Sequence, residues 1–300
     1  MDRQTQRKDL YQEVTDAIVA HLEAGTPPWE RDWIGAEARL PYNLTSGKPY
    51  RGVNILALWI TALKRGYLRA GWLTYKQAHN LGANVRAGEK GTHIVFWQRN
   101  DDDNDGEAAD LGEGAEAPNK PAMFARWYTV FNVAQIDGLP DADPLPTRTD
   151  AERIDDADRF FAACGAQVIH ESSNPGYSAS LDCIRIPAID AFKTSAGYYA
   201  ALAHEHAHWT GHKSRLNREL ANRFKSDAYA AEELIAELGA AFVCAQLGIP
   251  YKLEQHASYL DSWLRVLKAD KRAIFTAASA ATRAVDFLNG LQSQTEHAAA

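Results

Sequence analysis

The stretch "YYAALAHEHAHWTGH", Tyr198 to His212, decides how the rest of this sequence is interpreted. It holds four of the ten histidines of the chain within nine residues, and it contains the pattern H-E-x-x-H at His204, Glu205 and His208. On a helix, residues four apart lie on one face, so both imidazoles can bind one tetrahedral zinc ion. Glu205 is rotated by about 100° from His204 around the helix, toward the open side of the metal. A carboxylate at that place can act as the general base for metal-bound water.

A metal site needs a further protein ligand, because H-E-x-x-H also occurs by chance. One class of zinc peptidase continues the pattern as H-E-x-x-H-x-x-G-x-x-H. Gly211 matches the glycine of that pattern, but Ser214 stands where its third histidine belongs, and His212 comes too early. We therefore expect His212 to line the cleft without binding the metal. We expect His206, which points away from the metal face, to lie on the protein surface.

A second class of zinc peptidase takes a glutamate from a later helix, and the stretch "EELIAELGAAF" begins at Glu232. Glu233 and Glu237 are four residues apart on an otherwise apolar helix, where burial is costly unless the charges are paired or metal-bound. We predict Glu233 as the third ligand, with Glu232 as the alternative. Glu237 is predicted to orient a ligating imidazole through its second nitrogen. The competing interpretation is that these glutamates form a solvated helix face.

The predicted ligand set of two histidines and a glutamate favours Zn²⁺, although the same set also accepts Mn²⁺ or Co²⁺. Bound zinc lowers the pKa of its water to about 7, which makes hydroxide available at neutral pH.

The first hundred residues interleave basic and aromatic side chains, as in "SGKPYRGVN", "GWLTYKQ" and "VRAGEKGTHIVFW". Proteins that bind single-stranded nucleic acid combine a basic groove with aromatic side chains on which bases stack. The alternative is that the aromatic residues belong to the core, and Asn54 is also a plausible helix N-cap. The predicted nucleic-acid contacts are Lys48, Tyr50, Arg51, Asn54, Trp72, Tyr75, Lys76, Arg86, Lys90 and Trp97.

The charge of the chain is unevenly distributed, which keeps a polyanion-binding function open despite a formal net charge of −7. Residues 1–100 carry a balance of +5, residues 101–150 carry −9 and residues 151–300 carry −3. A polyanion senses the local charge and not the total.

The composition points to a cytoplasmic protein. There is no apolar run long enough to span a membrane and no apolar segment of the kind that marks a secretory signal. The three scattered cysteines form neither a disulfide framework nor a C-x-x-C metal site.

The order of predicted elements indicates an α+β fold in two parts. Residues 1–145 are predicted to form a mixed α/β domain, and residues 146–300 a mainly helical domain with a small sheet. The proline-rich stretch "DGLPDADPLPTRTD" is the predicted linker. An acidic, Gly-rich insert at about residues 100–121 has too few apolar residues to order itself, so we predict a flexible loop between two strands.

Several motifs, taken in order along the chain, resemble the ArdC-type antirestriction family. "YNLTSGKPYRGVNILAL", "WLTYKQAHNLGANVRAGEKGTHIVFW" and "YTVFNVAQIDGLP" resemble its N-terminal domain, which is also seen at the N-terminus of plasmid TraC primases. "YYAALAHEHAHWTGHKSRLNR" and "EELIAELGAAFVCAQLGI" resemble the zincin-type metallopeptidase domain that follows, which is also similar to SprT-like proteases of DNA-bound proteins. The acidic insert matches none of these motifs.

The resemblance implies a plasmid-borne protein that binds single-stranded DNA and protects incoming DNA from host restriction. Its expected partners are single-stranded DNA and host restriction proteins or other DNA-bound proteins, with no membrane. The preferred hypothesis is a metalloprotease tethered to DNA. The alternatives are a non-enzymatic binder that occludes DNA around a structural metal, and a metallopeptidase without a DNA function.

Overall fold

A computed structural model of the 300-residue chain describes residues 9–30, 39–99, 123–139, 149–218, 220, 226–252 and 257–298. The predicted acidic insert and most of the predicted linker lie outside these residues. The fold is α+β, as predicted. Eight helices and nine strands are described: α1 Leu10–Glu23, β1 Tyr42–Asn43, α2 Val53–Arg65, β2 Gly71–Thr74, α3 Tyr75–Asn80, β3 Asn84–Val85, β4 Thr92–Arg99, β5 Met123–Asn132, β6 Ile136–Asp137, α4 Asp150–Cys164, β7 Gln167–Ile169, β8 Gly176–Ser178, β9 Cys183–Arg185, α5 Ser195–Thr210, α6 Asp227–Leu247, α7 Ala257–Ala269 and α8 Ala273–Ala298.

A four-stranded sheet in the order β1-β2-β5-β4 organises the first part of the chain. Its longest pairing is the antiparallel one between β4 and β5, which runs from Thr92 opposite Val130 to Arg99 opposite Met123. Both strands were predicted, because their β-branched and aromatic residues favour a pleated sheet. A separate two-stranded sheet joins β3 and β6.

Helix α2 is fixed on this sheet in a way that the sequence does not indicate. Its N-cap is Gly52, at φ 57°, and not Asn54 as predicted. The buried Asn54 side chain instead accepts a hydrogen bond from the Val95 N–H at 2.9 Å and donates one to the Val95 carbonyl at 2.8 Å. Asn54 therefore supplies a strand-like pair of hydrogen bonds between α2 and β4. Thr74 caps the start of α3, where it forms a reciprocal capping box with Gln77.

The second part is mainly helical, with a three-stranded sheet in the order β7-β9-β8. Strand β8 was missed, because its glycine, tyrosine and serine carry no strand pattern. The last part of the described chain forms two helices, α7 and α8. Among the described residues, no helix has both the length and the apolar character that crossing a membrane requires.

The largest hydrophobic core joins the two predicted domains. Trp59 of α2 packs on Phe242 of α6 with ring centroids 5.8 Å apart, and Trp29 packs on Trp263 of α7 at 5.9 Å. Helices α1 and α2 thus bury apolar residues against α6, α7 and α8. The division at residue 145 remains a prediction, and one hydrophobic core contains residues from both sides of it.

Candidate metal centre

Helix α5 carries the H-E-x-x-H pattern and is buried over most of its length. It begins at the N-cap Thr194, whose hydroxyl accepts from the Gly197 N–H at 3.1 Å, and it ends before Gly211. The expectation that His206 lies on the surface is wrong, since its side chain is 0% exposed. Its Nδ1 lies 2.8 Å from the Leu202 carbonyl oxygen, and its ring packs on Phe161. Burial lowers the pKa of His206 to about 4, so the imidazole is neutral and serves the core.

Helix α6 lies alongside α5 and supplies the carboxylates. Ser226 caps its first turn by accepting from the Tyr229 N–H at 3.1 Å. Glu232, Glu233 and Glu237 are all buried, so the alternative of a solvated glutamate face does not hold. The two helices approach closely at Gly239, where an added Cβ would stand 3.1 Å from the Ala207 Cβ.

His204, His208 and Glu233 meet at one point between these helices. The two Nε2 atoms are 3.2 Å apart, and the Glu233 oxygens lie 3.4 Å from His204 Nε2 and 3.7 Å from His208 Nε2. Ligand atoms at about 2.0–2.1 Å from a tetrahedral ion stand about 3.3–3.4 Å from one another, so the spacing fits one zinc-sized ion. Within the described part of the chain, His204, His208 and Glu233 form the group of side chains whose ligand atoms lie close enough together to hold a metal ion.

The charges at this point also suit a divalent cation. Burial lowers the pKa of His204, but the carboxylates of Glu233 and Glu237 outweigh it and leave that pKa well above its usual value. The pKa of His208 is likewise pulled down by burial and raised, on balance, to about 9 by Glu232 and Glu233. Burial raises the pKa of Glu233, and the two imidazoles outweigh it, so the carboxylate stays ionised. An excess of carboxylate over imidazole charge in a buried cleft favours a bound cation.

Glu232, the alternative third ligand, contacts the other side of His208. Its Oε1 lies 3.1 Å from His208 Nδ1, so it holds the imidazole in an orientation that turns Nε2 toward Glu233. Arg218 donates to both oxygens of Glu232, at 2.9 and 3.0 Å, and to the Ala207 carbonyl at 2.6 Å. Arg218 was not predicted, because its partners are 11 and 14 residues away in sequence, on two helices.

Glu237 lies where the prediction expected an orienting carboxylate, with Oε2 3.6 Å from His204 Nδ1. Each of the two histidines therefore has a carboxylate facing its Nδ1, which leaves both Nε2 atoms for a metal.

Two tyrosines lie beside Glu233 and were also missed by the sequence reasoning. The hydroxyls of Tyr229 and Tyr259 are 3.3 Å apart. Burial, followed by the contacts with Tyr259 and Glu233, holds the pKa of Tyr229 above its usual value, so its hydroxyl stays protonated. It is thus available as a donor to the Glu233 carboxylate.

Glu205 is buried on α5 next to the first histidine, and its charge contributes to the raised pKa of His204. His212 is not part of the metal group: its Nδ1 lies 2.7 Å from the Ser214 hydroxyl and 3.9 Å from Asp182.

The predicted nucleic-acid contacts fall into distinct groups. Tyr50, Asn54 and Trp72 are buried, and the indole of Trp72 is only 1% exposed. The prediction that these three contact DNA is therefore corrected, because Tyr50 and Trp72 belong to a core cluster under the sheet and Asn54 clamps α2 to β4. Two of the arginines are engaged, Arg51 with Asp286, and Arg86 with Asp137 and Glu89.

Four of the remaining predicted contacts are exposed. Tyr75 is 58% exposed, and Lys48, Lys76 and Lys90 lie at the surface. Within the described ranges, none of these three lysines forms an ion pair with a carboxylate. Trp97 lies in β4, and its side chain is outside the described residues.

Comparison with known proteins identifies both parts. A family model described as the N-terminal domain of anti-restriction factor ArdC matches residues 8–131, and a zincin-like metallopeptidase model matches residues 155–280. The chain is 43% identical over 295 residues to a protein described as uncharacterized, y4eC, of Sinorhizobium fredii, with 96% of this chain and 94% of that protein covered. It is 37% identical to two DNA primases TraC of Escherichia coli, of which it spans only 20% and 27%.

Two solved structures resemble the whole chain. Both are of the antirestriction ArdC protein from the R388 plasmid, one metal-free and one Mn(II)-bound. They are 43% identical to this chain, with TM-scores of 0.77 and 0.75, and each alignment covers 95% of this chain and 98% of the other. The identity, the coverage and the two successive domain matches place the chain in one family: it belongs to the ArdC antirestriction proteins.

Proposed function

We propose that this protein is an antirestriction factor of a mobile element that binds single-stranded DNA and hydrolyses peptide bonds in DNA-bound proteins, host restriction enzymes among them. The observation that carries the proposal is the meeting of His204, His208 and Glu233 at the spacing of one tetrahedral ion, beside the buried carboxylate of Glu205. The proposed site of action is the cytoplasm.

The proposed metal is Zn²⁺, held by His204 Nε2, His208 Nε2 and Glu233. When bound, zinc supplies a Lewis acid that acidifies a water and polarises the scissile carbonyl. Glu205 would serve as the general base toward the attacking water and then as the acid that protonates the leaving amine, so that peptide hydrolysis would consume one water and release an acid and an amine. Glu232 and Glu237 keep the two imidazoles turned toward the ion through Nδ1.

The ligand count supports catalysis over a structural role. Structural zinc sites have four protein ligands, whereas catalytic sites keep three and leave a position for water or substrate. In the described residues three donor groups converge here, and a further carboxylate nearby, Glu232, is held on the Nδ1 side of His208 by Arg218.

A Glu205→Gln variant tests the chemistry, because it keeps the size of the side chain and removes the base. Protection of incoming DNA should fall at least about 100-fold, the lower end of what a general base contributes. Metal content and single-strand binding should remain those of the wild type. Full protection by a variant that binds both normally would reject the protease account and favour the non-enzymatic occluding protein.

The proposed DNA surface is built from Lys48, Tyr75 and Lys76. These residues lie on two adjacent segments, since the turn before Lys48 is tied to α3 by a hydrogen bond from Asn43 Nδ2 to Gln77 Oε1 at 3.1 Å. The exposed phenol ring of Tyr75, next to Lys76 in the chain, offers a stacking platform beside a cation, which suits a base and its phosphate. Lys90 is a further exposed cation of the same part of the chain.

Binding of an oligothymidylate at two salt concentrations tests this surface. Tyr75→Ala should weaken binding by about 1–3 kcal/mol, the value of one stacked base. Lys48→Ala and Lys76→Ala should each reduce the slope of log K against log salt by about 0.7. Arg86→Ala is the matched control, because Asp137 and Glu89 already neutralise Arg86, so the salt slope should hardly change. An absence of binding by the wild type at low salt would reject the DNA function of this domain.

A further inference from the structure

The carboxylate that faces His204 is held by a residue far away in sequence. Trp29 lies in the turn after α1, and its Nε1 donates to Glu237 Oε1 at 3.2 Å. The other oxygen of the same carboxylate, Oε2, lies 3.6 Å from His204 Nδ1. We infer that Trp29 is a positioning residue for the metal ligand His204, so that the N-terminal segment is an integral part of the metal centre. The inference rests on the metal site proposed above.

Trp29 is held in place by its burial, by ring packing and by the hydrogen bonds of its turn. Its side chain is 0% exposed and packs on Trp263 of α7. The turn that carries it is closed by hydrogen bonds from the Thr26 N–H to the His21 carbonyl and from the Glu30 N–H to the Pro27 carbonyl, each 3.0 Å long. Pro27 and Pro28, which precede the tryptophan, are buried and restrict the backbone. The indole N–H is thus presented to Glu237 from a rigid support.

A donor at this place has a physical effect on the metal ligand. Glu237 is only 2% exposed, and a buried carboxylate that lacks donors is unstable and free to reorient. With one oxygen fixed by the indole, the other oxygen stays aimed at His204 Nδ1. The His204 imidazole is then held with Nε2 turned toward Glu233 and the proposed metal position.

The two histidines are held by different parts of the chain. Around His208 the supporting residues are Glu232 and Arg218, which lie within the segment that matches the zincin-like model, residues 155–280. Behind His204, Glu237 accepts the indole N–H of Trp29, which lies in the segment that matches the ArdC N-terminal model, residues 8–131. One donor to the carboxylate beside His204 therefore comes from outside the metallopeptidase-like segment.

Zinc titration of the full-length chain, by competition with a chromophoric chelator, tests this inference. Loss of a group directly behind a ligating histidine weakens metal binding about 10–100-fold, and Trp29 lies one hydrogen bond further out. Trp29→Phe keeps the ring and removes the N–H, and it should weaken zinc binding roughly three- to ten-fold. The matched control is Trp59→Phe, because the Trp59 indole N–H is equally buried but donates to the Arg39 carbonyl. The control should change zinc affinity less than about two-fold.

A double-mutant cycle separates positioning from a general loss of structure. Glu237→Gln should weaken zinc binding by about ten-fold or more, and adding Trp29→Phe to it should cost little further affinity, because the acceptor is already altered. The visible spectrum of the Co²⁺-loaded protein should shift in Trp29→Phe and not in Trp59→Phe.

Equal zinc affinities for Trp29→Phe and Trp59→Phe, or full additivity with Glu237→Gln, would overturn the inference while leaving the metal site intact. A wild-type chain that binds no zinc or manganese would overturn the metal site itself, and the inference with it.

Discussion

The close approach of α5 and α6 at Gly239 makes a sharp prediction about the metal centre. A Cβ at this position would stand 3.1 Å from the Ala207 Cβ, whereas carbon atoms in favourable contact are about 3.5–4.0 Å apart. Gly239→Val would therefore push the two helices apart by roughly half an ångström, and its γ-methyls would add to the displacement. Ala207 directly precedes His208, so the separation of the histidines from Glu233 would grow.

The size of the effect follows from two opposing contributions. Replacing a helical glycine by alanine stabilises a helix by about 1 kcal/mol, and valine recovers only part of that gain. Overpacking a filled core costs about 1–3 kcal/mol. The cost should be near the upper end for valine at position 239, because its branched side chain would meet the Cβ of Ala207 on the neighbouring helix. We expect Gly239→Val to lower the free energy of unfolding by about 2 kcal/mol. Because metal–ligand distances tolerate only about 0.2 Å, zinc affinity should fall at least about ten-fold.

Urea unfolding of the metal-free protein and zinc competition titration measure the two effects separately. Gly290→Ala is the control, because Gly290 lies within α8 and an added Cβ meets nothing within 4 Å. It should stabilise the protein by about 0.5–1 kcal/mol without changing zinc affinity. A Gly239→Val protein with wild-type stability and wild-type zinc affinity would refute the claim that helix spacing sets the site.

Two further predictions concern stability. Asn54→Ala removes the side-chain partner of the buried N–H and carbonyl of Val95 and should lower the free energy of unfolding in urea by about 2–4 kcal/mol. The salt slope of DNA binding should stay unchanged. A loss of DNA affinity without a loss of stability would contradict the structural role of Asn54. The hydrogen bond from Arg215 holds the pKa of Asp182 at about 2, below its unfolded value of 3.8, so its contribution to stability is present above pH 4 and is lost as the pH falls toward 2. Because Asp182 is 39% exposed, that contribution should be under about 1 kcal/mol. The difference in the free energy of unfolding between the wild type and Asp182→Asn should shrink as the pH falls. A difference that grows on acidification would refute this prediction.

The metal site was largely predictable, because its signal is local. The four-residue spacing of His204 and His208, and of Glu233 and Glu237, fixes which side chains share a helix face before any tertiary structure is known. The spacing does not separate Glu233 from Glu232, because both are buried, and only the three-dimensional arrangement places Glu233 beside both Nε2 atoms and Glu232 at Nδ1 of His208.

The supporting residues could not be predicted, because they depend on contacts across the chain. Trp29 reaches Glu237 over 208 residues of sequence, and nothing in a tryptophan that follows two prolines indicates a carboxylate partner. The same limitation affected His206, whose polar side chain suggests a surface position but which shares its helix with buried aromatic neighbours.

The DNA-binding surface was predictable only in part. Aromatic residues interleaved with lysine and arginine occur both in stacking platforms and in the cores of small sheets, and the two patterns look alike in sequence. Trp72 lies on β2 in the middle of the sheet and is buried, whereas Tyr75 stands three residues later at the exposed start of α3. Only the packing of the sheet separates one from the other.

The central claim is that His204, His208 and Glu233 hold one metal ion with a position left open for chemistry. Diffraction from zinc-soaked crystals, recorded on both sides of the zinc absorption edge, tests it most directly. The account predicts a single anomalous peak about 2.0–2.2 Å from His204 Nε2, His208 Nε2 and a Glu233 oxygen, with water as the fourth ligand. A peak bound by Glu232, or by four protein ligands, would contradict it.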